Sequence, residues 1–309
     1  MADVSPVLLE NVQKTFDRLY RDNKTIQKLY GKVRDGTLTY PEANNYAQLL
    51  GEILAESFDR NLSSAVLPNG KMYYNIAKAV IEPSMLNNYE LLIPAIKTAQ
   101  LLVNAEAGVQ LQPLIPDVNQ SRINGIMDRV SREDVYDDVK FMVGSQNMTN
   151  FAESIIDDAI RKNADAQFDV GLTPTITRIY HQRGSHQCAW CANLAGTYEY
   201  PVENNDIYRR HRDCHCTIEY HVGRFRQNVT TKKWYTQDGK ALNARRVANI
   251  DRKSLNWREA QALSSVLNTE AKEKEKAVRE ALIRDYMEKY NVSHHNAAWN
   301  TTRNQNLGR

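Results

Sequence analysis

All four cysteines of this 309-residue chain fall between positions 188 and 216, and five of its seven histidines between 181 and 221. The pattern is Cys188-Ala189-Trp190-Cys191, a gap of 22 residues, then Cys214-His215-Cys216, with His211 three residues before Cys214. Cysteines scattered through a core would not gather in this way. A short pair presents two soft ligands from one turn, and a loop brings a second pair to complete a tetrahedron around zinc. The second pair is C-x-C rather than C-x-x-C. Cys188, Cys191, His211, Cys214 and Cys216 therefore compete for four places on one structural zinc ion.

Other chemistries for this cluster fit less well. Disulfides need an oxidising compartment, and Asp3 and Glu10 stand where an export signal would be basic and then apolar. A thioredoxin-like site needs a βαβ unit near its C-x-x-C. A cytidine deaminase needs an H-x-E, which none of the seven histidines begins. Reduced thiols in a metal-free fold remain an alternative. A metal nuclease would draw on His181, His186, His215 or His221, but it needs an open ligand position, and thiolate-rich zinc sites are closed. Asp137-Asp138 and Asp157-Asp158 are carboxylate pairs on helical segments. Neighbours on a helix point about 100° apart, so these read as solvated faces or helix-end charges. No Walker loop, G-x-S-x-G, H-E-x-x-H or G-x-G-x-x-G occurs, and no catalytic residue is expected.

The elements that must position the cluster read as an α+β chain. Residues 1–170 are mainly helical. Val7, Leu8, Leu9, Val12, Phe16, Leu19 and Tyr20 follow helical spacing. Thr39-Tyr40-Pro41-Glu42 reads as a helix start, ahead of the stripe Tyr46, Leu49, Leu50, Ile53, Leu54 and Phe58. Further helical patterns cover residues 91–107 and 145–164, the second with Phe151, Ile155, Ile156 and Ile160 on one face, and Pro113, Pro116 and Asn119 mark a loop between them. Gly171-Leu172-Thr173-Pro174 breaks the pattern. Strands are expected at 175–181 and 217–222, and a hairpin over 229–240 turning at Asp238-Gly239. Residues 171–240 thus form a small zinc-stabilised module with little core of its own. Residues 241–309 are a basic linker, a charged helix over 256–290 and a polar, Asn-rich tail.

Charge is unevenly spread. Residues 1–170 hold 17 Lys and Arg against 23 Asp and Glu, whereas residues 205–258 hold 13 against 5. A basic segment on an acidic body suggests an anionic partner. Arg209, Arg210, Arg212, Arg224, Arg226, Lys232 and Lys233, with Trp234 and Tyr235 nearby, are the residues for non-specific phosphate and base contacts. The competing reading pairs these arginines with acidic groups and packs the aromatics around the metal. No apolar run approaches the ~18 residues that span a bilayer. We expect no membrane association and a chain made and kept in a cytosol.

The stretch from Cys188 through Cys191 to Gly196, followed by His211-Arg212-Asp213-Cys214-His215-Cys216, resembles the C-terminal signature of tailed-phage minor head proteins, the phage Mu head-morphogenesis family. Cys188, Cys191, Gly196, His211, Cys214 and Cys216 stand on matching positions. Arg212-Asp213 replaces the usual Pro-Asn, and His215 the usual Arg. The resemblance covers about residues 150–225. It implies a virion protein made in a bacterial host cytoplasm and present in few copies near the portal. Its partners would be the portal protein, other head proteins and packaged DNA, and its role head assembly or DNA delivery. The alternatives are a zinc-stabilised, non-specific nucleic-acid-binding protein and a zinc-dependent nuclease or toxin module.

Overall fold

The computed structural model describes residues 3–181, 188–211, 214, 216–223, 225–227 and 234–236, the last two segments as backbone. The charged helix, the tail and the Asp238-Gly239 turn lie outside the described residues. Six helices precede the sheet: α1 (Ser5–Asp22), α2 (Lys24–Arg34), α3 (Tyr40–Asn61), α4 (Tyr74–Ala107), α5 (Gln120–Arg132) and α6 (Ser145–Asp169). The chain is therefore α+β with a helical N-terminal region. No helix among the described residues is long and apolar enough to cross a membrane.

Local sequence signals account for several helix ends and faces. Glu42 accepts hydrogen bonds from the Thr39 amide (3.1 Å) and the Thr39 hydroxyl (3.2 Å), which ties the start of α3. Asn23 accepts from the Thr25 and Ile26 amides and starts α2. The apolar stripes face inward: Leu8, Val12 and Phe16 of α1, Tyr46, Leu50, Leu54 and Phe58 of α3, and Phe151, Ile155, Ile156 and Ile160 of α6 are all buried, while Val7 is exposed. The helix expected over 91–107 is the second half of α4, which runs unbroken through Pro83 and Pro94 and stops at Gly108 with φ +73°. Tertiary burial along α4 outweighs the cost of two interior prolines.

Strand β1 (Pro174–Ile179) lies between β2 (Gly196–Glu199) and β3 (Thr217–Val222), antiparallel to both. The strands at β1 and β3 match the sequence patterns, whereas β2 was not foreseen. A second ladder pairs β4 (Phe225–Gln227) with β5 (Trp234–Thr236), so among the described residues the partner of β5 precedes it. Between β1 and β2 a short helix, α7 (Ala189–Asn193), carries the first cysteine pair.

The boundary expected at residue 170 is not a packing boundary. Ile176, Leu194, Ile207, Tyr208, Ile218 and Tyr220 belong to the same hydrophobic core as the helices. Asn44 on α3 donates to the Ile218 carbonyl (3.2 Å), and the Tyr40 and Tyr220 rings meet edge to face at 5.7 Å. A sheet this small buries too little apolar surface to stand alone, so it folds against α3 and α6.

Helices α3 and α6 approach closely at Gly51. A Cβ there would lie 2.5 Å from the Thr149 Cα and 2.7 Å from the Met148 carbonyl carbon, backbone atoms that cannot rotate away. Gly51→Ala is expected to cost about 2–3 kcal/mol by forcing the helices apart. Gly125→Ala, in the open interior of α5, should instead gain roughly 0.5–1 kcal/mol. Urea melts of both variants test this, and equal stability of the two would refute the close approach.

Candidate metal centre

Each half of the cluster is a tight turn. Cys188 caps α7, its sulfur accepting from the Cys191 amide at 3.4 Å, while its own amide donates to the Tyr180 hydroxyl at 2.9 Å. In the second half the Cys214 amide donates to the His211 carbonyl at 3.2 Å, which closes a turn over residues 211–214. Gly196 has a φ of +153°, open to glycine alone, and begins β2 two residues after α7 ends in its Leu194 cap.

The two turns meet. The His211 Nε2 lies 3.0 Å from the Cys191 sulfur and 3.3 Å from the Cys188 sulfur, and the Cys191 and Cys214 sulfurs are 3.8 Å apart. Two groups of possible ligands result, Cys188–Cys191–His211 and Cys191–Cys214–Cys216, with Cys191 common to both. All five predicted ligand residues are thus brought together, and they can hold a metal ion. A zinc tetrahedron with Zn–S of about 2.3 Å and Zn–N of about 2.0–2.1 Å has sulfur–sulfur edges of about 3.8 Å and sulfur–nitrogen edges of about 3.5 Å. The 3.8 Å sulfur–sulfur spacing and the soft donor set suit such an ion, while the two sulfur–imidazole distances are shorter than its edges and would open on binding it. Cys191, Cys214 and Cys216 are buried, which closes the centre on that side.

The helical body holds the centre from beneath. Asn150 of α6 donates to the His211 carbonyl (2.8 Å), and Gln146 to the Cys214 carbonyl (3.1 Å). Arg210 reaches further inward, with only 1% of its side chain exposed. Its Nε and Nη2 fork onto Asp157 at 2.5 and 3.1 Å, and its Nη1 donates to Glu153 (2.9 Å) and to the Cys216 carbonyl (2.8 Å). Burial works against the Arg210 charge, but Asp157 and Glu153 overcome it, and the guanidinium stays cationic.

Arg178, which sequence reasoning did not single out, is the second buried arginine, 2% exposed. Its Nη2 lies 3.5 Å from the Cys214 sulfur and 3.8 Å from the Cys191 sulfur. Its Nη1 donates to the carbonyls of Ile207 and Arg209, the latter at 3.0 Å. The Trp190 ring covers its guanidinium at 5.4 Å and meets His211 edge to face at 5.7 Å. One signal was readable: Arg178 shares strand parity with the apolar Ile176, so a charge was due on the inward face of β1.

The thiols differ accordingly. A hydrogen bond from Cys216 draws the Cys214 thiol well below its ordinary range, with Arg210 and Arg178 adding to the pull. Cys216, as the donor in that bond, is pushed upward, and burial pushes Cys191 up to about 11.

Two expectations are corrected. Arg210 does not face a nucleic acid, because both edges of its guanidinium are used inside the protein. Asp157 is not on a solvated face, because it is the buried partner of that guanidinium, while Asp158 pairs with Arg161 near the surface. Of the other basic candidates, Arg209 is exposed, its side chain at 73%, and pairs with Asp206 at 3.0 Å. Arg212, Arg224, Lys232 and Lys233 lie outside the described residues, and Arg226 is described only as backbone of β4. His221 lies on an exposed part of β3 beside Glu219, and His181 bonds Thr217 at 3.0 Å. His186 and His215 lie outside the described residues. A polar cleft of about 240 Å³ lies alongside, lined by residues that include Glu52, Gln146, Glu153, His181 and Thr217.

The chain matches no family model, and no curated protein or solved structure matches it either.

Two outcomes follow from the buried network. Arg210→Met leaves Asp157 and Glu153 buried beside each other without their cation, and should cost about 3–5 kcal/mol in urea unfolding. Arg209→Ala should stay within about 0.5 kcal/mol of the parent. Burial also pushes the Glu153 carboxyl from its ordinary 4.5 up to about 8, against the pull of Arg210. Between those values the folded chain keeps a proton that the unfolded chain has released. This group's contribution to stability is therefore full at low pH and is lost as pH rises from about 4.5 to about 8. Glu153→Gln should remove that part of the slope, and parallel stability profiles for the two proteins between pH 5 and 8 would show the assignment to be wrong.

Proposed function

We propose that this protein is a zinc-bound structural component of a tailed-phage head, a minor head protein that works beside the portal. The observation that carries the reading is the meeting of C-x-x-C and H-x-x-C-x-C, four sulfurs and an imidazole, in one centre. These are the residues on which the resemblance to the minor head signature rests. Thiolates with an imidazole favour zinc over calcium, magnesium or manganese, which prefer oxygen ligands. Such a centre does no chemistry of its own. Bound zinc would crosslink the α7 turn to the loop before β3, and so tie the sheet to α6.

The helical body supports a docking role. Its core is continuous, and its acidic balance suits a protein ring better than packaged DNA. The nucleic-acid alternative is weaker by one residue, because Arg210 is committed to α6. No feature among the described residues favours a nuclease.

The purified chain should carry one zinc ion, measured by elemental analysis. Because the centre is bonded to α6, Cys188→Ser or a strong chelator should lower the melting temperature of the helices together with the sheet, by on the order of 10 °C. No metal together with four freely titratable thiols would end the zinc reading. The head assignment has its own test. Mass spectrometry of particles released from the source cells after prophage induction should find the chain in few copies beside the portal protein. Its absence from particles that contain portal and capsid would overturn that assignment.

A further inference from the structure

We infer that the metal is held by Cys188, Cys191, His211 and Cys214, that Arg178 is its buried counter-ion, and that Cys216 stands outside the ligand set. The inference rests on the zinc reading above and decides among the five residues that reading leaves in competition.

Charge is the first argument. Zinc with four thiolates keeps two negative charges, whereas zinc with three thiolates and a neutral imidazole keeps one. A charge buried without a partner is costly. Two guanidinium groups lie buried against the thiols. That of Arg210 is matched by the Asp157 carboxylate, with Glu153 bonded beside it. Arg178 has no carboxylate within ion-pair distance among the described residues, and its Nη2 turns to sulfur instead. Its Nε has no hydrogen-bond partner there. One uncommitted positive charge balances a three-thiolate centre and leaves a four-thiolate centre in deficit. The fourth ligand is therefore His211.

Spacing along the chain and the Arg178 contacts select the cysteine that is left over. Cys188 and Cys191 share one turn, and His211 and Cys214 share the other, closed by the Cys214 amide on the His211 carbonyl. Each turn presents a pair of ligands at x-x spacing, the arrangement that builds a tetrahedron from two chain segments. The contacts run without a break from Cys188 to His211, to Cys191, to Cys214. The Arg178 hydrogen bonds to sulfur go to Cys191 and Cys214. The Cys216 sulfur lies as near to Cys191 and Cys214 as a ligand would, but it stands at C-x-C spacing outside both x-x pairs, takes no hydrogen bond from Arg178, and its carbonyl is held by Arg210 as the chain enters β3.

Arg178 also acts as a positioning residue. The guanidinium that faces the sulfurs holds the Ile207 and Arg209 carbonyls with its other nitrogen. It thereby sets the path of the chain just before His211. Outer partners of this kind typically carry 10–100-fold in metal affinity.

The test is a cobalt(II) titration of the full chain followed by visible and near-ultraviolet absorption, with folding checked by circular dichroism. Thiolate-to-cobalt charge transfer scales with the number of bound thiolates. The parent chain and Cys216→Ser should show the same intensity at one cobalt per chain. Cys214→Ser should lose about one third of it, for two thiolates in place of three. The reverse pattern, with Cys216→Ser losing intensity and His211→Ala binding as tightly as the parent, would overturn the ligand set and leave the zinc reading intact. A parent chain that takes up no cobalt would overturn the zinc reading itself. Arg178→Met should weaken cobalt binding about 10–100-fold in chelator competition and move the charge-transfer band to lower energy, since the sulfurs lose their donor. Parent-like affinity and band position would overturn the counter-ion role. Should that variant be unfolded, Arg178→Lys is measured in its place. It keeps the charge but cannot reach two sulfurs and two carbonyls at once, so a smaller loss of affinity supports the assignment and none overturns it.

Discussion

The guanidinium of Arg210 is buried between α6 and the start of β3, forked onto the Asp157 carboxylate and bonded to Glu153 and to the Cys216 carbonyl. Taking these charges out of water is expensive, and only near-ideal geometry repays it. That requirement fixes the loop carrying His211, Cys214 and Cys216 at one height along α6. Asn150 and Gln146, one and two turns earlier on the same helix, extend the attachment to the His211 and Cys214 carbonyls. A shift of α6 by a residue would break all of these bonds together.

The rest of the molecule serves this placement. Gly51 lets α3 lie against the backbone of α6, and Asn44, earlier on α3, reaches the Ile218 carbonyl of β3. The sheet presents Ile176, Ile218 and Tyr220 to the helices and Arg178 to the sulfurs. The metal centre is therefore not a bead on a linker. It lies at the junction of sheet and helices, where a bound ion would tie the two together.

The two buried arginines divide the work. Arg210 is neutralised by Asp157 and joins the loop to the body. Arg178 keeps its charge for the sulfurs and joins the central strand to the centre. A thiolate cluster needs nearby positive charge to persist in an interior of low dielectric. The protein supplies it from a strand residue about ten positions before the first cysteine.

The sequence by itself determined which atoms are available for a metal, and the helical pattern that supports them. Ligand type and x-x spacing are local properties of the chain. So are the capping residues Thr39 and Glu42 and the 3.6-residue stripes of α1, α3 and α6. Pairing over long distances was not legible. Arg209 and Arg210 are identical in type and adjacent, yet one is solvated and the other is buried against residues 53 and 57 positions away. Asp157 and Asp158 part in the same way. A charge run reads as a surface until its register against another element is known, because burial depends on which face meets a partner. Strand β2 and the first half of α4 were missed for a related reason: neither short exposed strands nor proline-bearing helices persist on propensity, and tertiary contacts stabilise both. What tertiary structure alone decided is where each charge went, since the cost of burying an ion is recovered only by a partner the local sequence cannot name.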